Sequence, residues 1–146
     1  MRIAVSACLL GEKIRYDGGH KLERFITEEL GQFAEFIPFC PEHLAFGTPR
    51  PSVRLLHHEN RVQVQSNKDG IDLTEPLIQS SRNELTKISQ EPLSGIVFKS
   101  KSPSCGMKSA KIYRDNGFCE GKEDGIFVSM CRERFPLLPM EEEGRL

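Results

Sequence analysis

A chain of 146 residues, 38% hydrophobic and 28% charged, is long enough for one domain with its own core, and no apolar run approaches the roughly 18 residues of a membrane span. A formal charge of −1 supplies no basic face or tail on the scale that duplex binding needs, so polymeric nucleic acid finds no strong support as a partner. Five cysteines is an odd number, and none stands in a Cys-x-x-Cys pair, which argues against a disulfide framework, a zinc ribbon and a thioredoxin motif alike.

The first element is "RIAVSA", Arg2 to Ala7, a short apolar run. Gly11 and nearby charges interrupt it as they would a buried strand and not a signal peptide, so a cytoplasmic location is expected. In "LERFITEELGQF" the residues Leu22, Phe25, Ile26, Leu30 and Phe33 recur at three- and four-residue spacings, which predicts an amphipathic helix with one buried face. "EFIPFC" is a second strand, stopped by Pro41. "GTPRPSVRLLH" has two prolines and is expected as a loop leading to "RVQVQ", an exposed strand or hairpin arm. "DLTEPLIQSSRNELTKIS" predicts a long helix with Thr74 as N-cap, Pro76 in the first turn, and Leu77, Ile78, Leu85 and Ile88 as its buried stripe. "LSGIVFKS" is a third strand, "DGIFVSMCRERF" a third helix and "PLLPME" a last strand, while the acidic "EEEGRL" tail is expected to fray. The order predicts a single α/β domain over residues 1–146, Rossmann-like or flavodoxin-like, with an open, mainly parallel sheet and helices on both faces.

That order places Cys8, Cys40 and Cys105 each just after the carboxyl end of a predicted strand. Loops from different strands meet there, in the crevice where open α/β sheets bind ligands. Cys119, in the turn-rich "RDNGFCEGKEDG", and Cys131, among apolar neighbours on the third helix, read as structural thiols. Three converging thiolates suit either a zinc site completed by His43, three residues after Cys40, or an iron-sulfur cluster with one open iron. The first alternative is a structural or interaction module. A non-catalytic nucleotide-binding protein with incidental cysteines is a second.

Three stretches, "VSACLLGEKIRYDGG", "PFCPEHLAFGTPRP" and "KSKSPSCG", with "GIDLT" between the last two, together resemble the thiouracil desulfidase family. The resemblance implies a 4Fe-4S cluster with three cysteine ligands, Cys8, Cys40 and Cys105, and one open iron. It also implies a non-redox reaction in which the sulfur of a small thiolated pyrimidine base or nucleotide binds that iron and water replaces it at carbon. Glu42, two residues after Cys40, is the first candidate for the base that deprotonates this water, and Ser102, three before Cys105, for a partner on the proton path. Ser100 and Ser104 are neighbours with the same chemistry, and Ser104 is also a candidate substrate contact. Cations flank every motif: Lys13 and Arg15, then Arg50, then Lys99, Lys101 and Lys108. Arg15, Arg50 and Lys101 are the candidates for gripping substrate beside a negatively charged cluster, with Asp17 a structural partner for Arg15. The sequence departs from the family pattern around Phe46, where a glycine is usual, which implies a differently shaped pocket wall.

Overall fold

The computed structural model describes residues 1–90 and 92–146. Four strands, β1 (Arg2–Ser6), β2 (Glu35–Phe39), β5 (Gly95–Phe98) and β8 (Met140–Glu142), form one sheet in the order β2-β1-β5-β8, and every pairing in it is parallel. Ile3 to Ser6 and all of β5 are buried, as expected for central parallel strands covered on both faces. One face packs against α2 (Thr74–Ser89) and α3 (Ile126–Arg134), through Ile88, Phe127, Val128 and Cys131. Phe39, Phe98 and Phe127 meet there with ring centroids 4.9 to 6.2 Å apart. The opposite face is covered by Leu9 and Ile26, from helical turns near the N-terminus.

A second sheet, in the order β4-β3-β6-β7, contains β3 (Val53–His58), β4 (Arg61–Ser66), β6 (Ala110–Arg114) and β7 (Cys119–Glu123). β3 lies in a stretch expected as a loop, and β6 and β7 lie where the sequence predicts no element. The prolines end before Val53, and Val53 and Leu55 then face inward with Val64, Ala110 and Ile112. Glu59 and Asn60, both at positive φ, close the β3–β4 hairpin, the conformation its tight turn favours. Leu77 of α2 enters this second core while Ile88 of the same helix enters the first, so α2 joins the two sheets.

Three local expectations are corrected. Leu22–Phe33 does not form one amphipathic helix: a π-helical turn, Phe25–Glu29, runs into a 3₁₀ turn, Leu30–Gln32. Leu22, Phe25 and Phe33 are exposed and only Ile26 is fully buried, because the fold offers this segment a single apolar socket. Thr74 is the first helical residue of α2 and not its cap. Asp72 Oδ1 accepts from the Thr74 N–H at 3.0 Å and from its hydroxyl, while Thr74 Oγ1 accepts from Val64 N–H at 2.9 Å. The C-terminal tail does not fray at its start. Glu142 is buried and Glu143 opens a 3₁₀ turn, both bonded to the loop after β5.

Candidate functional site

Strands β2, β1 and β5 lie side by side and parallel, so their carboxyl ends open in one direction. Cys8 sits in the 3₁₀ turn Ala7–Leu10 after β1, Cys40 caps α1 (Pro41–Phe46) after β2, and Cys105 lies in the loop after β5. All three line one cavity of about 430 Å³, a size suited to a small ligand. Burial raises every one of these thiols above the ordinary value: Cys8, with Lys99 and Arg15 opposing the shift, Cys40 to about 11, and Cys105 well above that ordinary value. Left to the chain alone they are neutral thiols at pH 7, so a bound cationic centre is what would make them thiolates. Cys131 is buried within α3 and Cys119 is exposed on β7, and neither lines the cavity.

The Cys105 loop is built by its own serines. Ser102 Oγ accepts the backbone N–H of Ser104 at 3.2 Å and of Cys105 at 3.1 Å, and Gly106 N–H donates to Ser102 O at 2.9 Å. A Cβ on Gly106 would lie 2.8 Å from Ser109 Oγ and 2.9 Å from Ser102 O, so this close approach requires glycine. The first N–H groups of α3 close the loop from below: Ile126 donates to Pro103 O and Phe127 to Ser104 O, each at 3.0 Å.

Carboxylates remote in sequence fix the same walls. Glu142 Oε2 accepts from Met107 N–H at 2.9 Å and from the Ser109 hydroxyl, and Glu143 accepts from Ser100 N–H at 2.9 Å with Lys99 Nζ at 3.5 Å. On the other side Glu84 Oε2 accepts the Cys40 N–H at 2.7 Å, with Lys87 Nζ 3.2 Å from Oε1. Glu84, Glu142 and Glu143 are not among the candidates that the sequence motifs mark. Glu84 had a signal: it stands between Leu77 and Ile88 on the helix face that proves buried.

Glu42 enters the cavity from the first turn of α1, its side chain 12% exposed. Its Oε2 accepts the Ser104 hydroxyl at 2.7 Å, with Ser102 Oγ at 3.3 Å and the two hydroxyls 3.0 Å apart. Because Ser102 Oγ already accepts two amides, its single hydrogen points to Ser104 or to Glu42, giving a short relay that ends on the carboxylate. Ser104 Oγ is also 3.6 Å from Cys105 Sγ, so the relay borders the thiol. Ser100, by contrast, is bonded to Lys99 and Glu143.

Arg15 and Lys101 line the cavity with Lys99, and so do Tyr16 and Lys21, which are not among the sequence candidates. Arg15 lies over the Tyr16 ring at 5.7 Å. Arg50 lines it too, but as a buried strut: Nη1 donates to Ile14 O at 2.7 Å, Gly47 O at 3.0 Å and Thr48 Oγ1 at 3.1 Å, tying the Cys8 loop to the Cys40 loop. Its Nε is buried without a hydrogen-bond partner among the described residues, 3.9 Å from Glu42 Oε1. Lys13 and Lys108 stand outside the lining. Asp17 closes its own turn by accepting Gly19 N–H at 2.9 Å. Phe46 packs on the core of the second sheet and does not line the cavity.

Among the described residues no three His, Cys, Asp or Glu side chains stand close enough to hold one metal ion. His43, with Nδ1 2.7 Å from Thr48 Oγ1, does not line the cavity that the three cysteines share. The three thiols that line the cavity have the soft donor chemistry that an iron-sulfur cluster would take.

Fold and cavity together define an α/β protein with a sulfur-rich site at the carboxyl ends of its parallel strands. More particularly, the chain belongs to the 2-thiouracil desulfurase family, whose family model matches residues 3–143. YbbK of Bacillus subtilis (strain 168) is 30% identical over 144 residues, covering 90% of this chain and 89% of that protein. The solved structure of TudS, a 4Fe-4S-dependent thiouracil desulfidase, matches with a TM-score of 0.77 and 28% identity, over 99% of this chain and 92% of that one. The expected fold class and family are therefore both found. No helix among the described residues is long and apolar enough to cross a membrane.

Proposed function

We propose that this protein removes sulfur from a thiolated pyrimidine (thiouracil, thiouridine or its monophosphate) by hydrolysis, without net redox change. The thiocarbonyl and one water give the carbonyl and hydrogen sulfide. The observation that carries the reading is the convergence of Cys8, Cys40 and Cys105 on one cavity with a serine-bonded carboxylate, Glu42, at its wall. Cys8, Cys40 and Cys105 would hold a 4Fe-4S cluster, and the raised affinities of these thiols for protons mean that loading must displace three protons. When bound, that cluster supplies a soft, open iron for the substrate sulfur.

The remaining work falls to the chain. Glu42 Oε1, left free by the serines on Oε2, takes a proton from the attacking water. Ser104 and Ser102 hold the carboxylate in place and offer the proton a path along the loop. Arg15, Lys21, Lys99 and Lys101 compensate negative charge in the cavity and orient an anionic substrate, while Arg50 fixes the two loops in register.

Anaerobic purification, iron and sulfide analysis, and a visible spectrum before and after adding 4-thiouracil or 4-thiouridine monophosphate test this. The expected result is about four irons per chain and loss of the thiocarbonyl absorbance. A colourless protein that leaves both compounds intact after cluster reconstitution would overturn the proposal.

A further inference from the structure

The second sheet has a cavity of its own, also about 430 Å³, separated from the thiol-lined one by Val53, Lys101 and Pro103, which border both. Arg54 on β3, Lys111 on β6 and Lys122 on β7 line it. Lys111 and Lys122 stand directly opposite each other across the antiparallel β6–β7 pair. Arg54, one residue before the Leu55–Ile112 pairing, lies level with Lys111 on the other side. Three neighbouring strands thus bring three cations into one row. Lys101 adds a fourth from the cysteine loop, and no described acidic side chain lines the cavity.

Like charges directly opposite on a sheet repel, and this row has no internal compensation. Among the described residues the side chains of Lys101, Lys111 and Lys122 form no ion pair. Arg54 is held over the Tyr113 ring at 5.8 Å, and its Nε is buried without a hydrogen-bond partner among the described residues. A solvated lysine pair satisfies itself with water, but a buried guanidinium N–H does not. Such an arrangement is completed by a ligand that carries more than one negative charge and several acceptor oxygens.

We propose that this cavity is a phosphate-binding site. Arg54 offers directed donors, Lys111, Lys122 and Lys101 act as point charges around the anion, and Asn67 and Tyr113 supply neutral polar groups. The phosphate belongs either to the molecule whose base occupies the neighbouring cavity or to a separate phosphorylated ligand. The binding itself is independent of the desulfuration reading, and its test uses the chain without turnover.

Inorganic phosphate is titrated into the full chain in low-salt chloride buffer and followed by calorimetry and amide shifts. Saturable binding is expected, with shifts at Asn67, Lys111 and Lys122. The affinity should fall by about tenfold or more in the double variant Lys111→Gln/Lys122→Gln, whose two side chains are exposed in the wild type. Absence of saturable binding, undiminished affinity in the double variant, or shifts confined to the thiol-lined cavity would overturn the proposal. Kinetics then assign the source. A higher KM for 4-thiouridine 5′-monophosphate with an unchanged KM for 4-thiouracil places the phosphate on the desulfurated molecule. Unchanged KM for both, with phosphate binding lost, places it on a separate ligand. A KM raised equally for both contradicts the proposal, because the substitutions would then act on the neighbouring cavity.

Discussion

Ser104 bonds Glu42 at 2.7 Å, whereas Ser102, the sequence candidate for the proton path, stands 3.3 Å from it and spends its acceptor capacity on two backbone amides. The two serines should therefore fail differently. Glu42→Gln is expected to lower turnover by about 10²- to 10⁴-fold with iron content unchanged, the range of a lost general base. Ser104→Ala should lower turnover less, also without loss of iron. Ser102→Ala leaves two amides of the ligand loop without their acceptor, a cost of about 1–3 kcal/mol each if they stay buried, so urea stability and iron content should both fall. Parallel measurement of kcat, iron and urea midpoint separates the three. Glu42 and its serines were candidates in the sequence by motif spacing. Glu142 and Glu143 were not, because nothing local tells a carboxylate that bonds a distant amide from one that faces water, and Glu84 showed only its place on the buried stripe of α2.

Burial also makes a pH prediction for a thiol outside the site. Cys131 is pushed up to about 12 by desolvation, while an unfolded cysteine titrates near pH 8.5. Its folded value is raised, so the stabilisation is complete below about pH 8.5 and is lost as pH rises from there toward 12. Urea midpoints of the reduced protein should fall across that window, and less steeply in Cys131→Ala. An equal slope in the variant would contradict the assignment.

At the scale of elements, the contact between α3 and the cysteine loop is the tightest joint. A Cβ on Gly125 would lie 2.4 Å from Ser104 O and 2.8 Å from Pro103 O, so Gly125→Ala must part the helix from the loop. The expected cost is about 1–3 kcal/mol, with reduced cluster retention, read by denaturation and iron analysis. On the second sheet, Lys122→Glu replaces a repulsive cross-strand pair with an attractive one and should raise stability by about 0.2–1 kcal/mol while weakening phosphate binding. A merely solvated lysine pair would show the stability change without any effect on phosphate binding. The segment Leu22–Phe33 carries a separate lesson: helical spacing was present, but periodicity states which residues could share a face and not whether a partner surface exists for it.

Over the whole molecule, the three thiols come from loops far apart in sequence that side-chain hydrogen bonds already join, and a bound cluster would further link β1, β2 and β5 at their carboxyl ends. A ligand that binds only the folded state stabilises it. The cluster-loaded protein should therefore melt at a higher Tm than the same protein after anaerobic chelation, and Cys105→Ala should abolish the difference. Equal Tm values would mean that the cysteines hold nothing that bridges the loops.

The sequence by itself determined the parallel sheet, since short apolar runs alternating with helical segments have few other ways to bury both faces, and it determined that three cysteines follow strand ends. It also carried the motifs that mark the family. Only the tertiary structure decided that β3, β6 and β7 form a second sheet, because their pairing joins Val53–His58 to segments more than fifty residues away and leaves little periodicity in polar, turn-rich sequence. It alone placed Glu84, Glu142 and Glu143 against the ligand loops and set Arg54, Lys111 and Lys122 in one row. These are contacts between distant residues, chosen by which backbone amides and charges the packed layers bring face to face.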